Sequence, residues 1–291
     1  MTDLPWVLPP LRASGYPAPA SLEARRSGVS AMPPPPITSG VSATDASWGG
    51  VDCVVCEVPS PTSTILYFHG GGYRLGAARF SAAFGSRLAR AANARVVVAD
   101  YRLAPEHPFP AAIHDAAAAY GALLEAHGPD IIVGGDSAGG GLAAALVVAC
   151  RTAGIAPPRA LVLLSPWVDL TVQNSTFSSR SGSDQLFSKE SALEAAEMYL
   201  QGHDPNDVLA SPLFAELSGF PPVLVFAGGY EVLLEDTTMF ASRLALGGVS
   251  VEAHVVAGMQ HVWPTIFPDL DESRVALHQM GEFVKGLGSP G

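Results

Sequence analysis

Gly135-Asp136-Ser137-Ala138-Gly139 decides how the rest of this chain is read. Ahead of it lies Ile131-Ile132-Val133, a β-branched run that reads as a buried strand. Behind it, residues 142–151 are alanine-rich and read as a helix. A serine in G-x-S-x-G at a strand-to-helix turn is the signature of a nucleophile elbow. The glycines have a steric reason, because in so tight a turn a Cβ would strike the neighbouring strand and helix. The Ser137 hydroxyl is then held up into a cleft with a helix N-terminus beneath it. Small-residue loops match this pattern by chance, so the reading depends on what surrounds it.

Working outward, strands are expected at 64–68, 95–99, 160–164, 223–227 and 249–256, and helices at 80–91, 111–126, 233–246 and 271–284. Strand and helix alternate from residue 64 onward. That rhythm predicts a mostly parallel central sheet with helices on both faces and right-handed crossovers. Two β-like runs between residues 37 and 58, separated by Gly49-Gly50, read as an antiparallel hairpin ahead of it. One interval breaks the rhythm. Between about 165 and 223 there is one clear helix, 188–201, and so long a connection is often functional. A segment at about 170–210 is expected to form a cap, together with an N-terminal arm spanning residues 1 to about 36. Within the arm a short helix is expected with Ser21 as its N-cap. The arm is expected to pack loosely over something, because Trp6, Val7, Leu8, Leu11 and Tyr16 are costly to leave in water.

The chain has 291 residues, 48% of them hydrophobic, enough for a large core in a single domain over 1–291. No apolar run reaches the roughly 18 residues needed to span a bilayer, and residues 1–11 lack the basic-then-apolar order of a secretory signal. With three cysteines and no disulfide framework, a cytoplasmic location is expected. Cys53 and Cys56 form a C-x-x-C, but on a strand residues three apart face opposite sides, so no metal or redox pair is expected. A net charge of −11 without a basic cluster argues against nucleic acid and anionic membrane as partners. No phosphate-binding glycine motif asks for a nucleotide.

His69-Gly70-Gly71-Gly72 follows the strand at 64–68, where a glycine run lets backbone N–H groups approach a ligand closely. Acyl transfer needs such donors at the oxygen that becomes negative, and Gly70, Gly71 and Ala138 are the assigned oxyanion donors. A serine hydroxyl also needs a base, and the base an orienting acid, in the chain order Ser, acid, His. Of His203, His254, His261 and His278, only His261 lies in a loop at the carboxyl end of a strand, where site residues gather in an open α/β sheet. Glu231 occupies the equivalent loop after 223–227 and is the leading acid. Asp236 and Asp169 are alternatives, although Glu235 and Asp236 also suit a helix N-terminus. Asp136 adjoins the serine and is read as a satisfied buried carboxylate. Arg102 and Glu106 are read as a structural ion pair. Apolar residues near strand ends or in the cap give the expected pocket walls: Tyr73, Trp167, Val168, Phe187, Tyr199, Leu200, Met259, Val262 and Trp263. So many bulky walls suit short to medium acyl chains.

Four ordered motifs, His69-Gly70-Gly71-Gly72, Asp100-Tyr101-Arg102-Leu103-Ala104-Pro105-Glu106, Gly135-Asp136-Ser137-Ala138-Gly139 and Gly258-Met259-Gln260-His261, together resemble the hormone-sensitive-lipase-like family of α/β-hydrolase carboxylesterases. The resemblance runs from about residue 60 to the C-terminus. It implies a capped α/β-hydrolase fold acting on carboxylic esters without metal or organic cofactor. It implies Ser137 as nucleophile, His261 as base, and Gly70, Gly71 and Ala138 as oxyanion donors. Many members carry Asp in a D-x-L-x-D frame, where this chain has Glu231-Val232-Leu233-Leu234-Glu235. The same machinery serves lactonases and amidases. Hormone receptors on this fold lack the triad histidine, which is present here. Family members are often dimers, so a homodimer is a further expectation of the resemblance.

Overall fold

Alternating side chains along the central strands feed two separate cores. In β3 (Ser63–Phe68), Leu66 and Phe68 enter one core while Ile65 and Tyr67 enter the other; in β4 (Ala94–Ala99), Val97 parts from Val96 and Val98 in the same way. Strands buried on both faces need a helical layer on each, which is why they read as unbroken apolar runs. In this computed structural model residues 4–16 and 18–287 are described. Residues 1–3, 17 and 288–291, which the expected domain and arm include, lie outside them.

The sheet has eight strands in the order β1-β2-β4-β3-β5-β6-β7-β8. β1 (Ser42–Trp48) and β2 (Val51–Glu57) form the expected hairpin, turned by Gly49-Gly50 at φ 61° and 82°. β2 runs antiparallel to β4, and every later pairing is parallel, through β5 (Ile131–Asp136), β6 (Leu161–Leu164), β7 (Val223–Gly228) and β8 (Val251–Val256). Helices α2 (Ala78–Ala92) and α9 (Asp271–Gly286) cover one face. α3 (Ala111–His127), α4 (Ala138–Ala153) and α7 (Leu234–Leu246) cover the other. Cys53 and Cys56 fall into different cores and are unpaired, and burial pushes their thiols up to about 12 and about 11. No helix among the described residues is long and apolar enough to cross a membrane.

Two outer segments overhang the carboxyl ends of the strands. The N-terminal one carries α1 (Ala20–Ala31). Its cap is Pro19, whose carbonyl accepts from Leu22 and Glu23 N–H, so Ser21 lies inside the first turn rather than capping it. Leu4, Trp6 and Leu8 pack on the core, whereas Val7, Leu11 and Tyr16 remain exposed. The second segment holds α5 (Thr176–Ser179) and α6 (Lys189–Leu200), the latter capped by the Ser188 hydroxyl, which accepts from Ser191 N–H. Arg12 ties the segments together by donating to the Leu200 and Gln201 carbonyls. Beyond the segments, a short α8 (Trp263–Ile266) precedes α9.

Candidate active site

β5 runs through Gly134 and Gly135 to Asp136, and α4 begins at the next residue but one, so the turn between them is Ser137 alone. The glycines permit this by close approach. A Cβ on Gly139 would meet the Phe68 carbonyl, and one on Gly135 the Gly139 carbonyl. Ser137 itself takes φ 54° and ψ −122°, a costly conformation for a residue with a side chain. Its N–H donates to the Leu164 carbonyl at 2.9 Å, and its own carbonyl accepts from Trp167 N–H at 2.9 Å, which pins the strained turn.

The hydroxyl of Ser137 lies 2.9 Å from His261 Nε2. His261 Nδ1 faces Glu231 Oε2 at 3.9 Å, an electrostatic contact rather than a formed hydrogen bond. His261 Nδ1 and Glu231 Oε1 are both buried without partners among the described residues. Such hydrogen bonds are often long until substrate is present. Glu231 is fully buried, and its Oε2 is fixed by the Ser165 hydroxyl at 2.7 Å and Gly228 N–H at 2.9 Å. Ser165 Oγ also accepts from Val262 N–H at 3.0 Å, so one hydroxyl joins the acid loop to the histidine loop. Ser165 and Val262 both have φ 47°, strained for any non-glycine and especially for a β-branched valine. Burial disfavours the His261 imidazolium, but Glu231, then Asp184 and Asp136, more than offset this and hold its pKa above the ordinary value.

Of the other acids, Asp236 accepts from Val168 and Asp169 N–H at 3.1 and 3.0 Å and so braces a loop. Asp169 closes a local turn onto Thr171 N–H. Asp136 accepts from the Tyr67 hydroxyl at 2.8 Å and from Gly70 N–H at 3.0 Å. This corrects the expected oxyanion set, because the Gly70 N–H is already committed to a carboxylate. Gly71, Gly72 and Ala138 N–H have no acceptor among the described residues, so Gly72 rather than Gly70 has an N–H free beside Gly71. Arg102 and Glu106 do not pair. Arg102 holds Asp115 at 2.7 Å, and Glu106 holds Arg26 of α1 at 2.6 Å.

A cavity of about 480 Å³ opens over Ser137. Phe187 and Val262 line it as expected, with Phe187 stacked on the His261 ring at 5.5 Å. The other expected walls lie elsewhere. Tyr73 and Tyr199 stack on each other at 3.9 Å inside the core, and Trp167 sits behind Phe187 with its indole N–H on the Asp169 carbonyl. Val168 is buried, Leu200 faces a different cleft, and Met259 and Trp263 pack in the core of the opposite sheet face. Position at a strand end fixes where a backbone runs, not which way its side chain turns. The walls missed by the sequence reading include Arg25 of α1, and Leu186 and Ser191 of the second segment. Ser165 was missed too, although a serine at the carboxyl end of a strand is a signal of the kind that singled out His261.

A family profile for the α/β hydrolase fold matches residues 65–265. An acetyl-hydrolase of Streptomyces hygroscopicus is 40% identical over 224 residues, 76% of this chain and 75% of its own length. An esterase of Acinetobacter venetianus is 35% identical, covering 78% and 76%. The crystal structure of a hormone-sensitive lipase from a metagenome library superposes with a TM-score of 0.88 at 35% identity, over 94% of this chain and 93% of that one. The chain therefore belongs to the α/β-hydrolase family, and within it to the hormone-sensitive-lipase-like carboxylesterases.

Proposed function

We propose that the protein is a serine carboxylesterase that hydrolyses small-molecule esters of short to medium acyl chains through an acyl-enzyme on Ser137. The observation that carries this is the 2.9 Å contact between Ser137 Oγ and His261 Nε2, beside the unengaged N–H groups of Gly71, Gly72 and Ala138. His261 takes the proton as Ser137 attacks the ester carbonyl. The three N–H groups receive the oxyanion, and Glu231 holds the imidazolium. His261 then protonates the departing alcohol, and water repeats the sequence on the acyl-enzyme.

The chain-length reading is supported by the limited cavity, and by a relative of TM-score 0.87 and 34% identity, the esterase EstE5, whose crystals were soaked with p-nitrophenyl butyrate. Ser137→Ala should lower turnover by about a millionfold, as for other activated serines, and abolish labelling by an organophosphate. Near-normal esterase activity in that variant would sink the assignment. A p-nitrophenyl ester series should peak at or below medium chains, and a maximum at palmitate would reject the size reading.

A further inference from the structure

The cleft over Ser137 borders a second cavity. The cleft of about 480 Å³ shares Ser81, Asp136, Thr265 and Ile266 with a second, more enclosed space of about 290 Å³ between α2 and residues 265–268. Tyr67, Phe80, Phe84 and Pro268 give the second space apolar walls, mixed with the polar groups of Ser81, Thr265 and Asp136. Arg87 of α2 is its one cationic wall group. Arg74, Arg102 and Arg159 each hold a carboxylate. The Arg87 guanidinium makes no hydrogen bond or ion pair among the described residues, and Asp269 acts on it only at longer range. The one other charged wall group, Asp136, already receives the Tyr67 hydroxyl and the Gly70 N–H.

A half-buried guanidinium without a hydrogen-bonded acceptor among the described residues, on the wall of a space that borders the cleft over Ser137, suits a planar anion. An enclosed space suits the acyl half, which stays on Ser137 while the alcohol leaves through the wider cleft. We propose that this chain hydrolyses hemiesters of dicarboxylic acids, with the free carboxylate of the acyl group seated on Arg87. The proposal rests on the serine-esterase reading above and adds its substrate class.

Monomethyl adipate and methyl hexanoate differ only in a carboxylate replacing a methyl, and release of each acid can be followed by chromatography. The wild-type kcat/KM ratio should favour monomethyl adipate by about tenfold or more, the scale of a charge-assisted hydrogen bond. Arg87→Met should lower that ratio by at least about tenfold, and Arg87→Lys should recover part of it. A wild-type preference for methyl hexanoate, or a ratio that Arg87→Met moves by less than threefold (about), overturns the proposal. A melting curve shows whether the variants fold. Product inhibition needs no variant: adipate should inhibit the wild-type enzyme more strongly than hexanoate, and the reverse order also overturns the proposal. Failure of the wild-type protein to hydrolyse either ester would strike the esterase reading instead.

Discussion

The floor of the site and the cap above it are held by different forces. On the floor, Gly135, Ser137 and Gly139 meet β3 and β6 backbone to backbone, and a single added methyl has nowhere to go. In the cap, α1 buries only Leu22 and is held by arginines instead: Arg26 to the Arg74 and Ala104 carbonyls and to Glu106, and Arg25 to Glu194, which also pairs with the buried Arg74. Close-packed backbone has one arrangement, whereas partly exposed ion pairs reform with little loss. The floor therefore holds its atoms more tightly than the cap is held above it.

The comparison predicts that floor changes act on rate and cap changes on stability. Glu231→Gln should have the largest effect after loss of the serine itself, on the order of a thousandfold or more in kcat, as for other triad acids. It should also move the pH profile. His261 must be neutral to accept the proton, so its raised pKa places the acid limb of kcat/KM above pH 6.5, the ordinary histidine value. Without the Glu231 charge that limb should shift to lower pH. An unshifted limb would mean that Glu231 does not govern His261. Gly139→Ala should come next. Its Cβ would press α4 away from the Phe68 carbonyl, and displacing Ala138 N–H and Ser137 by even about 1 Å would cost on the order of a hundredfold in kcat/KM. Full activity in that variant would show that the floor yields as readily as the cap.

The same contrast explains what the sequence discloses. The strands of the sheet are legible because burial on two faces forces continuous β-branched runs at 96–98 and 131–133, and the helix between them because it is a long alanine-rich run at 111–127. Gly139-Gly140-Gly141 reads as loop by intrinsic propensity, yet it is the first turn of α4, because β3 and the loop after β6 approach too closely for side chains there. Ser137, Glu231 and His261 are readable because each sits in a marked loop at a strand end. The engagement of the Gly70 N–H is not readable. It depends on Asp136 reaching Gly70 across the pairing of β3 with β5, a contact between residues sixty-six apart. Arg25 as a cavity wall is equally hidden, since nothing local to residue 25 says what its helix lies against.

On the cap side, Glu194→Gln leaves the buried Arg74 guanidinium without its carboxylate and frees Arg25 of α1. Loss of one partner from a buried pair is severe, but Glu194 is 37% exposed, and water takes over part of its role. A destabilisation of about 1–2 kcal/mol is expected, read from chemical denaturation, with faster proteolysis within α1. kcat should change far less than in Glu231→Gln. A large loss of rate at unchanged stability would place Glu194 with the floor.

The smallest expected effect separates two ways of pairing the charges beside the glycine loop. Proximity in sequence suggested Arg102 with Glu106, one turn of chain apart. In the fold Asp115 accepts from Arg102 through its N–H at 2.8 Å and through Nε and Nη2, and Asp115 is 11% exposed. Glu106 is 47% exposed and belongs to Arg26. A double-mutant cycle on Arg102 and Asp115 should return a coupling of about 1 kcal/mol, the upper end for a partly exposed pair. The cycle on Arg102 and Glu106 should return about zero, and that on Arg26 and Glu106 a few tenths of a kcal/mol, roughly, falling with salt. Coupling between Arg102 and Glu106 equal to that of Arg102 with Asp115 would mean that the loop at 100–110 is held from within. The cap helix would then be a bystander to the loop rather than a fastening on it.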